Sequence, residues 1–142
     1  MRIERVTDPD DAALEGVARL VPQLSPHREP PDLIELAELA SAAGTTLLVA
    51  RDGDTYLGML TLIVYRIPTG LRGLIHDVVV DERARGRGVG EALAREALRL
   101  AEEAGVASVE LTTRSEREAA NRLYRRLGFE PRETNVYVWR SG

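Results

Sequence analysis

The chain has no cysteine, and all 19 of its basic residues are arginine, so there is no lysine either. The first absence excludes a disulfide framework and a thiol nucleophile. The second removes the Gly-Lys-Ser/Thr triplet that a P-loop requires. No apolar run approaches the roughly 20 residues of a membrane span. Met1-Arg-Ile-Glu-Arg5 lacks the apolar core of a signal peptide. No internal repeat or low-complexity segment is present. A net charge of −4 argues against a general nucleic-acid binder. What remains suits one folded domain over residues 1–142, 44% hydrophobic and 30% charged, with a real core. The expected location is cytoplasmic, with neither membrane nor nucleic acid as a partner.

The stretch Leu74 to Gly90 organises the rest. Leu74 to Val80 is an apolar run interrupted by His76 and Asp77. Asp81 to Ala84 reads as a charged loop, and Arg85-Gly86-Arg87-Gly88-Val89-Gly90 runs directly into a helical pattern. Strand, glycine-rich turn and helix start make an anion site. Glycine permits φ > 0 and leaves room for a ligand against the main chain. The first free N–H groups of the helix and its dipole add positive potential. Arg83, Arg85 and Arg87 add formal charge, so a phosphate or pyrophosphate is the natural guest. A dinucleotide fold would place its glycines after the first strand, with an acidic residue about 20 positions on; these lie past mid-chain. A tight strand-to-helix turn with solvent-facing arginines is the structural alternative.

Around this stretch the periodicities predict further elements. Arg2 to Thr7 alternates as a first strand. Asp8 is expected as N-cap and Pro9 as first helical residue, with Ala13, Leu14, Val17, Ala18 and Val21 carrying the helical period. Pro22 to Pro31 holds four prolines and should interrupt it. A second helix is expected over 32–43. Strands follow over 45–51 and 55–67, joined at Asp52-Gly53, a strong hairpin signal. The turn Pro68-Thr69-Gly70 leads into the strand ending at Val80, which completes an antiparallel meander. Val89, Leu93, Ala97, Leu100 and Ala104 form one face of a helix closed by Gly105. A strand over 107–113 completes a βαβ unit, so the strands flanking that helix should be parallel. Ser115-Glu-Arg-Glu118 reads as a capping box. It starts a helix burying Ala119, Ala120, Leu123 and Leu127, and a last strand is expected over 134–140.

Two motifs, in order and on the expected elements, carry a resemblance. Arg85-x-x-Gly88-x-Gly90 resembles the acetyl-CoA pyrophosphate motif, Gln/Arg-x-x-Gly-x-Gly/Ala, of the GCN5-related N-acetyltransferases (GNAT). Asn121-Arg-Leu-Tyr124-Arg-Arg-Leu-Gly128-Phe129 resembles that family's Asn-x-x-(Phe/Tyr)-Tyr-x-x-x-Gly-Phe signature, with Tyr124 at one aromatic position. The predicted order β-α-α-β-β-β-α-β-α-β matches the family over essentially the whole chain. His76 to Asp81 is also similar to the strand of the family's amino-sugar acetyltransferases, where Glu-Asp often stands in place of His76-Asp77.

The resemblance implies an α/β (α+β) fold of the acyl-CoA N-acyltransferase type: a mixed central sheet with an antiparallel meander and one βαβ unit, helices on both faces. It implies direct transfer of acetyl from acetyl-CoA to a primary amine, with a small-molecule acceptor. A protein or peptide N-acetyltransferase and a catalytically silent acetyl-CoA-binding module stay open, as does a homodimer. Cofactor binding falls to Arg85, Gly86, Arg87, Gly88, Val89 and Gly90 at the pyrophosphate. Val78, Val79 and Val80 would pair their backbone with the pantetheine arm, and Asn121 and Tyr124 complete the donor site. No metal is expected.

Three residues are candidates for proton transfer. His76 has a reference pKa near 6.5 and can take a proton at neutral pH; the alternative is a hydrogen-bonded core histidine. Asp77 should face the opposite side of the strand and becomes a base only if burial raises its pKa. Tyr124 is the candidate general acid, the alternative being a half-buried core tyrosine.

Overall fold

The computed structural model describes residues 1–142, and its sheet has the order β1-β2-β3-β4-β5. The strands are β1 (Arg2–Arg5), β2 (Thr45–Asp52), β3 (Thr55–Ile67), β4 (Gly70–Val80) and β5 (Ser108–Glu110). The helices are α1 (Asp11–Leu24), α2 (Leu33–Ser41), α3 (Val89–Ala104) and α4 (Glu118–Arg126). By contact density the chain divides into Met1–Thr112, which holds the whole sheet and α1 to α3, and Thr113–Gly142, which holds α4.

In the first unit, pairing is antiparallel from β1 to β4 and parallel between β4 and β5. The expected meander and βαβ unit are both present. The β2–β3 turn is tight because Asp52 pairs with Thr55, leaving two residues in the loop, with Gly53 at φ +55°. One face of the sheet packs on α1 and α2: Val17, Leu20, Leu36 and Ala40 join Leu47, Val49, Tyr56, Met59 and Val79 in one buried cluster. The other face takes α3, which buries Val89, Leu93, Ala94, Ala97 and Ala101.

Two glycines decide how closely the helices sit. A Cβ on Gly16 in α1 would lie 2.4 Å from the Tyr56 ring. A Cβ on Gly58 in β3 would lie 2.8 Å from the Val79 carbonyl oxygen and 3.0 Å from a Val89 methyl. The carbonyl contact sets β3 against β4 and cannot relax by a rotamer change, because the carbonyl is backbone, while the methyl contact holds the start of α3 on β3. Gly58→Ala should therefore destabilise by about 1–3 kcal/mol, as overpacked cores do. A urea midpoint equal to the parent's would show that the strand and helix part freely.

Helix boundaries differ in part from the sequence expectation. The N-cap of α1 is Asp10, not Asp8, and its carboxylate accepts from Ala13 N–H at 2.9 Å. Pro22 does not end α1; it lies inside the last turn. The ring costs one helical hydrogen bond there, close to an end already short of partners. Asp32 and Glu35 form a reciprocal capping box at α2.

In the second unit the expected box at Ser115 is absent. The N-cap of α4 is Arg117, and no side chain caps the helix. Asn121 instead donates its Nδ2 group to the carbonyls of Arg114 and Arg117, at 3.0 and 2.8 Å, and so holds the turn before the helix. The buried residue of α4 is Tyr124; Ala119 is exposed and Ala120, Leu123 and Leu127 are half-buried. The strand expected over 134–140 does not form. Val136, Tyr137, Val138 and Trp139 are all exposed, 65% or more, and no pairing is made by this stretch.

Candidate active site

The end of β4 departs from a regular strand at the two residues singled out for proton transfer. Thr61 pairs with His76 and Met59 with Val79, so two residues of β4, Asp77 and Val78, oppose Leu60 alone. This is a β-bulge. Asp77 carries the strain, at φ +53°, the one non-glycine residue of the chain in the left-handed region. Asp is among the few residues that visit that region. The bulge breaks the alternation that would have set His76 and Asp77 on opposite faces, and both side chains are exposed. Beyond the bulge Val79 returns to the core, and Val78 and Val80 are half-buried.

The same stretch of β4 has a free edge. Pairing with β5 covers only Arg72, Gly73 and Leu74, opposite Ser108, Val109 and Glu110. From Ile75 to Val80 the side of β4 that faced β5 has no strand beside it. An extended chain can pair with such an edge as an added strand. Val78, Val79 and Val80 all lie on it.

The strand then feeds the glycine-rich turn. Asp81 opens a single 3₁₀ turn, Glu82–Ala84. Arg85 is extended, Gly86 and Gly88 follow at φ +81° and +76°, and α3 begins at Val89. These two glycines are needed for backbone conformation alone, since a Cβ on either would meet no atom within 4 Å. The space beside them is open to a ligand. Gly88 is the N-cap of α3 and provides no side-chain hydrogen bond, whereas α1 and α2 are capped by Asp10 and Asp32. Val89 is buried and anchors the helix, and Gly90 is half-buried in its first turn. Arg83, Arg85 and Arg87 are exposed, and Arg87 reaches back to the Arg83 carbonyl at 3.3 Å. A polyanion set at Gly86 to Gly90 would meet helix N–H groups, the positive end of the dipole and arginine side chains together.

Behind this turn lies a groove of about 870 Å³. Its walls include Glu15 and Arg19 of α1, Asp52 and Asp54 of the β2–β3 hairpin, and Arg83 and Arg87 of the turn. It touches none of the residues from His76 to Val80. Asp52 at its rim is already paired with the terminal ammonium of Met1 at 2.8 Å. That hydrogen bond and charge hold its carboxyl below the usual range.

Sequence reading missed the groups that fix the turn from below. Asp81 is buried and forms an ion pair with Arg19, 62 residues earlier, and no local pattern could have matched the two. Gln23, in the same helix, accepts from Glu82 N–H at 2.9 Å.

In the second unit, Tyr124 is buried with its ring edge-on to Phe129, centroids 5.7 Å apart. Burial pushes its phenol above the ordinary tyrosine value, against a smaller pull downward from Arg117. Asn121 lies one turn earlier and has its amide donors committed to the backbone.

The sheet is mixed, its one parallel pair covers three residues of each strand, and a glycine-rich turn leads from β4 into the crossover helix. The model of the acetyltransferase (GNAT) family matches residues 14–129. The chain belongs to that family. An uncharacterized N-acetyltransferase of Methanocaldococcus jannaschii is 44% identical over 59 residues, 42% of this chain and 26% of that protein. Mycothiol acetyltransferase of Beutenbergia cavernae is 39% identical over 84 residues, 59% of this chain and 28% of that one. The matches thus span about a quarter of the length of these curated relatives. An aminoglycoside acetyltransferase from an uncultured soil metagenomic sample, solved in complex with trehalose, has the same fold. The TM-score is 0.85 at 22% identity, covering 99% of this chain and 95% of that one.

Proposed function

We propose that this protein transfers acetyl from acetyl-CoA directly to the primary amine of a small molecule. The observation that carries the reading is the continuous run of one open strand edge into one uncapped helix start, His76 to Gly90. When bound, acetyl-CoA supplies the activated acyl group, a thioester. Gly86 to Gly90, with Arg85 and Arg87, would hold its pyrophosphate, and the free edge at Val78 to Val80 would pair with its pantetheine arm. Backbone N–H groups released from the ladder beside the bulge are suited to stabilise negative charge on an acyl oxygen.

His76 is proposed as the base that takes the proton from the acceptor ammonium, with Asp77 the alternative at the adjacent bulge position. Both are exposed, as a group meeting a diffusing acceptor must be. With no cysteine in the chain, no thiol nucleophile can carry the acyl group. The acceptor class is supported by two relatives whose names specify small molecules, mycothiol and aminoglycosides. A primary amine on a small molecule is the chemistry proposed here.

The test is a panel of amines, including amino sugars, amino acids and peptides, with release of free CoA thiol as the readout. Turnover restricted to small amines supports the reading, and turnover restricted to peptides replaces the acceptor class. Thermal stabilisation by acetyl-CoA without turnover of any amine would make the protein a silent binding module. His76→Gln should lower kcat/KM and flatten the acid limb of its pH profile. If Asp77→Asn changes the profile and His76→Gln leaves it intact, the base is Asp77.

A further inference from the structure

We propose that Arg19 and Asp81 are positioning residues that preset the donor cradle, acting through the turn and never touching the reacting atoms. The inference rests on the assignment of that cradle to acetyl-CoA. Asp81 is only 4% exposed and sits at the hinge where β4 becomes the glycine-rich turn. Every polar group it owns is engaged. One carboxylate oxygen pairs with the Arg19 guanidinium, and the other accepts from Arg83 N–H at 3.0 Å. Its own N–H donates to the Leu57 carbonyl and its carbonyl accepts from Ala84 N–H, each at 2.8 Å.

Arg19 is held in turn. Its second terminal nitrogen donates to the Tyr56 carbonyl in β3. The guanidinium therefore bridges a central strand and the foot of the turn, from a helix packed in the main core. Gln23, one turn further along α1, accepts from Glu82 N–H. Helix α1 thus ties down Asp81 and Glu82 at two points, and the three arginines and two glycines that follow start from a fixed place.

A cradle ordered in advance spares the donor the entropy of ordering it. Loss of the tether should weaken donor binding and leave the chemical step alone. Asp81→Asn and Arg19→Met should each raise the KM for acetyl-CoA roughly tenfold or more, the scale of one charge-assisted hydrogen bond, with kcat held within about twofold. Because the pair acts as a unit, the double variant should be no worse than the poorer single one. Arg19→Lys keeps the charge but not the fork that reaches two acceptors, and should fall between.

A measurement on the parent protein guards against variants that fail to fold. Hydrogen exchange at the Glu82, Arg83 and Ala84 amides should be slow before acetyl-CoA is added. Folded variants with the parent's KM would overturn the proposal. So would parent amides at 82–84 that exchange freely until the ligand arrives, since the ligand would then be ordering the turn. A parent that binds no acetyl-CoA at all would overturn the cradle assignment itself. Slow exchange at 82–84 would still show the turn to be locked in that case.

Discussion

Gly88→Asp should abolish the stabilisation of this protein by acetyl-CoA while leaving the unliganded fold intact. Gly88 sits at φ +76° as the N-cap of α3, and a Cβ there would meet nothing within 4 Å. The left-handed backbone costs a non-glycine residue about 1–2 kcal/mol, less for Asp than for most. That cost is a small part of the stability of a folded domain, so the empty variant should fold and melt only slightly below the parent. The ligand meets a different situation. A carboxylate at this position fills space that a pyrophosphate needs and repels its charge. A ligand at 1,000 times its Kd stabilises a protein by about 4 kcal/mol, and this is what should disappear. Gly88→Ala separates the causes, since it carries the backbone cost without the charge and should keep part of the shift. Equal melting-temperature shifts for parent and Asp variant would place the donor elsewhere.

The parts of this fold that were legible in the sequence are those written in local periodicity. Strands β2 to β4, helix α3 and the parallel crossover followed from alternation, from a 3.6-residue face and from turn residues. The misses have physical causes that a local pattern does not carry. Pro22 is a helix breaker by propensity, but one lost hydrogen bond in a last turn is tolerated when Val17 and Leu20 of that helix are buried. The Val136-Tyr-Val-Trp139 run has the composition of a strand, yet a strand is made by its partner, and none pairs with it here. Ser115 and Glu118 have capping-box spacing, but the Asn121 amide holds the Arg114 and Arg117 carbonyls and starts the helix later.

The candidate site shows the same division. The glycine turn was read from its residues, because φ > 0 and an uncapped helix start are local properties. The bulge at Asp77 was not read, although an aspartate inside an apolar strand was a signal, since Asp is depleted from regular strands. Gly58 in a strand and Gly16 in a helix were also signals of close approach that could have been used. The Arg19–Asp81 pair had none, since it joins α1 to the end of β4 through tertiary structure alone.

Tyr124→Phe should fold normally, bind acetyl-CoA nearly as well as the parent, and lose roughly two orders of magnitude in kcat. The proposed role of this tyrosine, drawn from the family resemblance, is to protonate the sulfur as the C–S bond breaks. A thiolate is already a fair leaving group, so the loss should lie at the low end of the 10²–10⁴-fold range for general acids. The phenol suits the role in two respects. Burial raises it above the ordinary tyrosine value near 10, with Arg117 opposing more weakly, so it carries its proton throughout the neutral range. Its ring is also held edge-on against Phe129, centroids 5.7 Å apart, which fixes where the phenol sits. The sign of the pH effect follows. A folded pKa above the unfolded one favours the neutral phenol in the native state. Its contribution to stability is complete below the unfolded value and is lost as pH rises through the folded one. Activity that depends on the same proton should fail on the alkaline side, and Tyr124→Phe should remove that limb along with most of kcat. A tyrosine that only packs predicts a melting temperature near the parent's with an intact kcat and an unaltered profile. Because Phe keeps the ring and its edge-on contact, the two outcomes do not overlap.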